Sequence, residues 1–311
     1  MTSQSDERYT YAAGARAGRL GWLEAGLPLI RLLRPHQWVK NAFVAAPLFF
    51  NPHVMSLEAV GLVALGILSF CFVASAVYVL NDLVDRESDR LHPKKRFRPL
   101  ASGQVTPVAG LTAFVVVLAL GLALAFTLDP SFGALVGLYF LVNVAYCFAL
   151  KNISIIDVLT ITFGFVLRVG AGATLIGVDV SVWILMCTGL IALFLALAKR
   201  RDDLTKSLGS AHRPALNGYT KPFLDAVTSL VLGALLVAYM MYATDTEVAE
   251  RLQTDQLYLT MPFVVAGILR YLQISLVEER SGAPTVVVLS DTFLIGCMAC
   301  WFFVFTYLIY F

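Results

Sequence analysis

The stretch "YVLNDLVDRESDRLHPKKRFRPLASG" (78–103) follows about twenty nearly uncharged residues and carries four acids and six bases. The acids are Asp82, Asp85, Glu87 and Asp89; the bases are Arg86, Arg90, Lys94, Lys95, Arg96 and Arg98. On a helix turning about 100° per residue, Asp82, Asp85 and Asp89 fall within about 60° of one another, and Glu87 falls on the other side. Asn81 stands one turn before Asp85. Three carboxylates on one face repel each other unless a cation sits among them. Mg²⁺ suits such a face, because it takes oxygen ligands, needs few protein carboxylates and leaves the other positions to water and substrate phosphate. A solvated helix end, with Arg86 and Arg90 pairing the acids at i+3 or i+4, is the alternative. It leaves unexplained why the three Asp share a face where the chain leaves an apolar run. The "KKRFR" run is a natural partner for phosphate, or for an anionic lipid surface.

A second charged set stands in "LALAKRRDDL" (195–204), where Lys199 and Asp203 share a helix face at i, i+4 and Asp202 points about 100° away from Asp203. Asp157 and Arg168 lie inside an apolar run, where a charge is costly and usually functional. Arg168 reads either as a ligand for substrate or as the structural partner of Asp157 or another buried acid. Lys40, Tyr146 and Lys151 stand at the ends of apolar runs; Lys151 also reads as a topological marker. None of His36, His53, His92 and His212 is an obvious general base. Cys71, Cys147, Cys187, Cys297 and Cys300 all fall in apolar segments and read as small apolar residues, with no disulfide framework.

The elements that hold these residues are membrane spans. Of 311 residues 59% are apolar and 14% charged, with mean hydropathy +0.77, against about 25% charged in soluble domains. Apolar runs recur end to end, at 37–51, 58–80, 107–127, 131–150, 153–177, 182–198, 223–243, 258–276 and 289–310, nine in all. Residues 19–34 read as an amphipathic helix lying at the interface. Residues 1–18 read as a disordered cytoplasmic tail without the features of a signal peptide, and 19–311 as a single transmembrane domain. Lys and Arg fill alternate connecting segments, including Lys206, Arg213 and Arg280, while "NPHVMSLE", "LDPSFG" and "GVDVS" have none and 244–257 has only Arg251. This bias predicts a cytoplasmic N-terminus and a charged cytoplasmic face. The net charge of +2 carries little information, and no nucleic-acid partner is expected.

Asn81-Asp82-x-x-Asp85-x-x-x-Asp89 resembles the first Asp-rich motif of the UbiA superfamily of intramembrane prenyltransferases. "RPHQWVKN" (34–41) is similar to the start of that family's first helix. "YCFALKNISIIDVLTITFGFVLRVGAGA" (146–173) is similar to its Tyr…Lys…Asp…Arg…Gly block. The resemblance implies an all-α membrane protein with nine transmembrane helices around a central cavity, binding a diphosphate through Mg²⁺. Most members carry a second Asp-rich motif; here Lys199 and Arg200 stand in its place and Asp203 at the later acidic position. That exchange loses affinity for a cation and gains affinity for phosphate. With "HPKKRFRPLASG" (92–103), these segments resemble the decaprenyl-phosphate phosphoribosyltransferases of the arabinan-precursor pathway, although Asp203 stands where those typically show Glu.

The resemblance implies transfer of 5-phosphoribose from phosphoribosyl diphosphate to a polyprenyl phosphate at the bacterial inner membrane. It implies Asp82, Asp85 and Asp89 as metal ligands and, with Asp203, as catalytic groups. Lys40, Asn81, Lys95, Arg96, Arg98, Tyr146, Lys151, Arg168, Lys199 and Arg200 are the implied substrate ligands. Self-association stays open. Prenyl transfer to an aromatic acceptor is the nearest rival. A transporter using Asp157 and Arg168 as an ion relay is a rival of another class.

Overall fold

Within a bilayer an apolar run folds as a helix, because each backbone N–H and C=O must find its partner inside the segment. The computed structural model describes residues 21–179, 181–205, 214–278, 287–288 and 290–311, with the backbone alone for 21–26. The expected tail 1–18 and Lys206, Arg213 and Arg280 lie outside these residues. Among the described residues there is helix and no strand. Eight helical segments are long and apolar enough to cross a membrane. They are α2 (Leu57–Val84), α4 (Pro107–Leu128), α5 (Pro130–Phe148), α6 (Ile156–Leu175), α7 (Val182–Thr205), α8 (Lys221–Thr244), Leu257–Val277 with α10 (Met261–Leu272) at its centre, and α11 (Thr292–Tyr310). Shorter helices are α1 (Gly21–Leu33), α3 (Arg86–Leu91) and α9 (Thr246–Leu252). Side-chain oxygens of Ser56, Thr106, Asp129, Thr220 and Asp291 accept the orphan N–H three residues on and start five of the spans.

The expected first span, 37–51, is not among the eight. It runs as 3₁₀ turns over Pro35–Ala45 and a short α-helical turn at Ala46–Phe49. Pro47 has no N–H to give the Phe43 carbonyl, which takes the Ala46 N–H instead, an i+3 bond. The strip lies against α2 and α6. Gly172 of α6 permits that approach, since a Cβ there would land on the Val44 carbonyl oxygen. α1 docks through Leu32, buried with Val79, Leu100 and Val105, while Leu27, Leu29 and Ile30 stay exposed.

Helices α2, α4, α5 and α6 form one half, with Phe70, Val73, Phe132, Val136 and Leu167 in its core. Helices α7, α8, α10 and α11 form the other, joined to the first where α6 packs on α7. Contacts between distant segments define two ends. At the charged end Asp85 meets Lys151, and Asp157 meets Arg200 and Tyr219. At the opposite end Trp183 meets Asp245, His53 meets the Arg251 carbonyl, and Tyr310 meets the Phe49 carbonyl.

Candidate active site

The helix carrying the first acids is interrupted at Asp85 (φ −88°, ψ 5°), which ends α2 and precedes α3. Two backbone bonds carry the helical register across the break, Asp85 N–H to Asn81 O (2.9 Å) and Asp89 N–H to Asp85 O (2.8 Å). Asp82 and Asp89, each 2% exposed, therefore still fall on one side. Arg98 joins them, its Nη1 lying 3.0 Å from Asp82 Oδ1 and 2.6 Å from Asp89 Oδ2. Arg34 Nη2 also reaches Asp82 Oδ1 at 2.5 Å, and Lys95 lies 3.7 Å from Asp89. Asp85 turns elsewhere and takes Lys151 Nζ at 2.6 Å. Asn81 is half-buried, and its side chain makes no hydrogen bond among the described residues. Arg96 is exposed and stacks over Phe97, away from the acids. Arg34 holds a left-handed backbone (φ 53°) ahead of Pro35, a strained place for a side chain, and the Asp82 bond holds it there.

Beside the acids lies a set of cations. The charges acting most strongly on the half-buried Lys40 are all positive, from Lys199, Arg168 and Arg34. Arg168 is 5% exposed. It does not pair with Asp157 or with any other carboxylate among the described residues. Instead Nε donates to Asn41 Oδ1 (2.9 Å), Nη1 to the Gly164 carbonyl (2.8 Å) and Nη2 to Tyr139 Oη (2.8 Å). The Tyr139 and Phe165 rings lie 4.6 and 5.2 Å from its Cζ. Of the five guanidinium N–H groups, two remain for a ligand. Asn41 is itself oriented by its Nδ2 bond to Cys71 Sγ (3.2 Å). Tyr146 is half-buried near the end of α5.

The second charged set is built differently. Arg200, 1% exposed, bonds Asp157 Oδ2 at 2.6 Å and reaches Asp203 Oδ2 at 3.4 Å. Tyr219 donates to the other Asp157 oxygen (2.7 Å) and accepts the Ile155 N–H (2.6 Å). Burial, then the hydrogen bond to Asp157, push the Tyr219 phenol up to about 12, so it stays a donor. Ile155 has φ 70°, an outlier for a β-branched residue, and the Tyr219 bond secures it at the entry of α6. Arg201 pairs with Asp225 of α8. Arg200 is thus a strut between α6 and α7; of this set, Lys199 is exposed, and its charge acts on Lys40. Below the cations, α7, α8, α10 and α11 enclose an apolar groove of about 550 Å³, lined by Phe43, Phe50, Trp183, Phe194, Tyr271 and Trp301 among others. Phe43 connects the two, its ring lying 5.1 Å edge-on from Phe165, the ring beside Arg168.

A sequence model of the UbiA prenyltransferase family matches residues 38–286. The chain belongs to this family. It is 35% identical over 283 residues to a decaprenyl-phosphate phosphoribosyltransferase of Corynebacterium glutamicum, covering 88% of this chain and 84% of that one. It is 33% identical to one of Mycolicibacterium smegmatis, over 85% of this chain and 86% of that one. A solved UbiA homolog from Archaeoglobus fulgidus bound to DMAPP and Mg²⁺ has the same fold, with TM-score 0.66 and 20% identity over 88% of this chain and 97% of that one. This chain is therefore a UbiA-superfamily transferase and a multi-pass membrane protein.

The carboxylates of this UbiA transferase are the oxygen donors that a hard dication takes. Among the described residues no three His, Cys, Asp or Glu gather to hold a metal ion; Arg34, Arg98, Lys95 and Lys151 occupy the acids instead. The donor chemistry fits Mg²⁺, which would exchange with those bases. The reason for the arrangement is that clustered carboxylates in a poorly hydrated place need positive partners at once. Site residues not predicted from sequence are Arg34, Asn41, Tyr139 and Tyr219. The first two are the ends of "RPHQWVKN", a signal already quoted. Tyr139 and Tyr219 carry no local signal.

Proposed function

We propose that this UbiA-family transferase moves 5-phosphoribose from phosphoribosyl diphosphate to a polyprenyl phosphate and releases diphosphate. The observation that carries the reading is the cation set Lys40 and Arg168, which have no carboxylate partner among the described residues and stand between the acidic cluster and the apolar groove. A donor with phosphate groups at both ends of a sugar needs more cationic contacts than a prenyl diphosphate does. The names of the relatives at 35% and 33% identity support the same transferred group and acceptor.

Mg²⁺, when bound by Asp82 and Asp89 with Asp85 released from Lys151, would neutralise diphosphate and make it a better leaving group. Asn81 and Lys151 flank those acids and orient the diphosphate. Lys40, Arg168 and Lys199 hold the remaining phosphate charge, and Arg98 and Lys95 exchange from carboxylate to phosphate. Asn41 aims the Arg168 guanidinium. The polyprenyl chain lies in the groove and leaves its phosphate at Phe43, beside Arg168. The bond from the anomeric carbon to diphosphate breaks, and a lipid phosphate oxygen bonds that carbon from the other face. That phosphate is anionic at neutral pH, so no general base is needed; positioning and electrostatics do the work. The bias of Lys and Arg toward the charged end supports a cytoplasmic site in a bacterial plasma membrane, and we extend the proposal to the supply of an arabinan precursor.

The test offers purified protein radiolabelled phosphoribosyl diphosphate or a prenyl diphosphate, with polyprenyl phosphate and Mg²⁺. Label from phosphoribosyl diphosphate should enter the lipid extract. Turnover of the prenyl diphosphate alone would replace this reading with prenyl transfer to an aromatic acceptor.

A further inference from the structure

Arg251 is the single basic residue between 244 and 257, on a face whose other connecting segments, "NPHVMSLE", "LDPSFG" and "GVDVS", have no Lys or Arg. Its guanidinium Nε and Nη2 are buried and bond nothing among the described residues. Its backbone is pinned, because the Arg251 carbonyl accepts His53 Nε2–H at 3.0 Å. Tyr242, near the end of α8, is 4% exposed, and its hydroxyl is also buried without a partner among the described residues. The Arg251 charge lies close enough to act on that hydroxyl, and Tyr242 lines the apolar groove.

The neighbouring carboxylate, Asp245, is committed elsewhere. Its Oδ1 takes the Val248 N–H at 3.0 Å and its Oδ2 the Trp183 indole N–H at 2.9 Å. The Val248 bond first, then the Trp183 bond, hold Asp245 below the usual carboxylate range. Glu247 and Glu250 of α9 are exposed and make no ion pair with Arg251. Val248 and Leu252, which flank Arg251 on α9, pack in one core with Tyr242, so two buried donors lie beside the far end of the groove with no acceptor among the described residues. A guanidinium buried in that way is costly, and membrane proteins keep such charges where they meet a ligand.

Distance identifies the ligand's leaflet. At about 1.5 Å per residue along α8, Tyr242 lies about 30 Å from Lys221 at the charged end, the thickness of a hydrocarbon core. A lipid whose phosphate sits at the acidic cluster cannot also place it at Arg251. We propose that Tyr242 and Arg251 form a second lipid site, which takes the phosphate of an anionic phospholipid of the phosphatidylglycerol class from the leaflet opposite the acidic cluster. The guanidinium pairs with the phosphate, and the phenol donates a second bond.

The test is native mass spectrometry of the full chain in detergent, loaded with phosphatidylglycerol or with phosphatidylcholine of the same chains. The native protein should retain phosphatidylglycerol under conditions that strip phosphatidylcholine. Arg251→Gln should lower that retention about tenfold, Arg251→Lys should keep part of it, and Tyr242→Phe, which preserves the ring, should lower it a few-fold. Transferase turnover of Arg251→Gln should stay within about twofold of native, since Arg251 touches no part of the charged end. Equal retention by native and Arg251→Gln overturns the proposal, as does equal retention of the two phospholipids. Displacement of phosphatidylglycerol by stoichiometric polyprenyl phosphate also overturns it, because the donors would then belong to the substrate's own groove. Should Arg251→Gln fail to fold, Arg251→Lys and Tyr242→Phe carry the test alone.

Discussion

Two charged clusters share one end of the bundle and are built in opposite ways. In the first, the acids Asp82 and Asp89 are 2% exposed, but their bases Arg34, Arg98 and Lys95 leave 20%, 24% and 36% of the side chain in reach of solvent. In the second, Arg200 and Asp157 are 1% and 0% exposed. A base with its head near water exchanges one anion for another at little cost, whereas a fully buried pair cannot open without stranding a charge. The first cluster is thus suited to handling an incoming polyanion, and the second to holding α6 and α7 together. Both clusters stand out in the sequence as runs of charge; the difference lies in what surrounds each base.

Breaking the locked cluster should have the largest effect. Arg200→Ala removes the guanidinium from the buried Asp157 carboxylate, and should cost about 3–5 kcal/mol of stability, read as a large drop in the thermal unfolding midpoint in detergent. If the protein keeps its midpoint, the strut assignment fails. Next, Asp85→Asn at the exchangeable cluster should lower diphosphate release by about a hundredfold or more, with the midpoint nearly unchanged. Activity that survives this change would remove Asp85 from the site. Arg168→Gln sits between the two clusters and withdraws a charged donor while leaving Asn41 in place. It should weaken donor binding about tenfold, seen as a raised KM for phosphoribosyl diphosphate. An unchanged KM with lost stability would make Arg168 a packing residue. The smallest effect belongs to Arg96→Ala, whose side chain stacks on Phe97 in the open. Turnover should stay within about twofold, and a larger loss would move the basic arm's working residue from Arg98 to Arg96.

Much of this architecture is legible in local order. The apolar runs announce nine spans because bilayer thickness demands about 20 residues each, and eight of them form helices of that kind among the described residues. The run 37–51 misleads, since hydropathy does not register that Pro47 denies the Phe43 carbonyl its helical partner. The Asp82, Asp85 and Asp89 spacing is legible as a helix face, yet the break at Asp85 sends its carboxylate to Lys151 rather than to the other two. The basic run 94–98 reads as one phosphate arm, but only Lys95 and Arg98 turn to the acids. Arg168 and Asp157 lie on one span and invite pairing; the structure gives Arg168 to Asn41 and Asp157 to Arg200.

What the sequence determined by itself is the membrane class, the spans with helical caps and the motif that marks the family, since each is written in residues within a few turns of one another. What only the tertiary structure decided is which cation meets which carboxylate. Arg200 and Asp157 are 43 residues apart, Lys151 and Asp85 66, and Arg168 and Asn41 127. Local spacing has no reach over such separations. The packing of α2, α6 and α7 and the 3₁₀ strip sets these pairs, and through them separates the charges that hold the fold from those that meet a substrate.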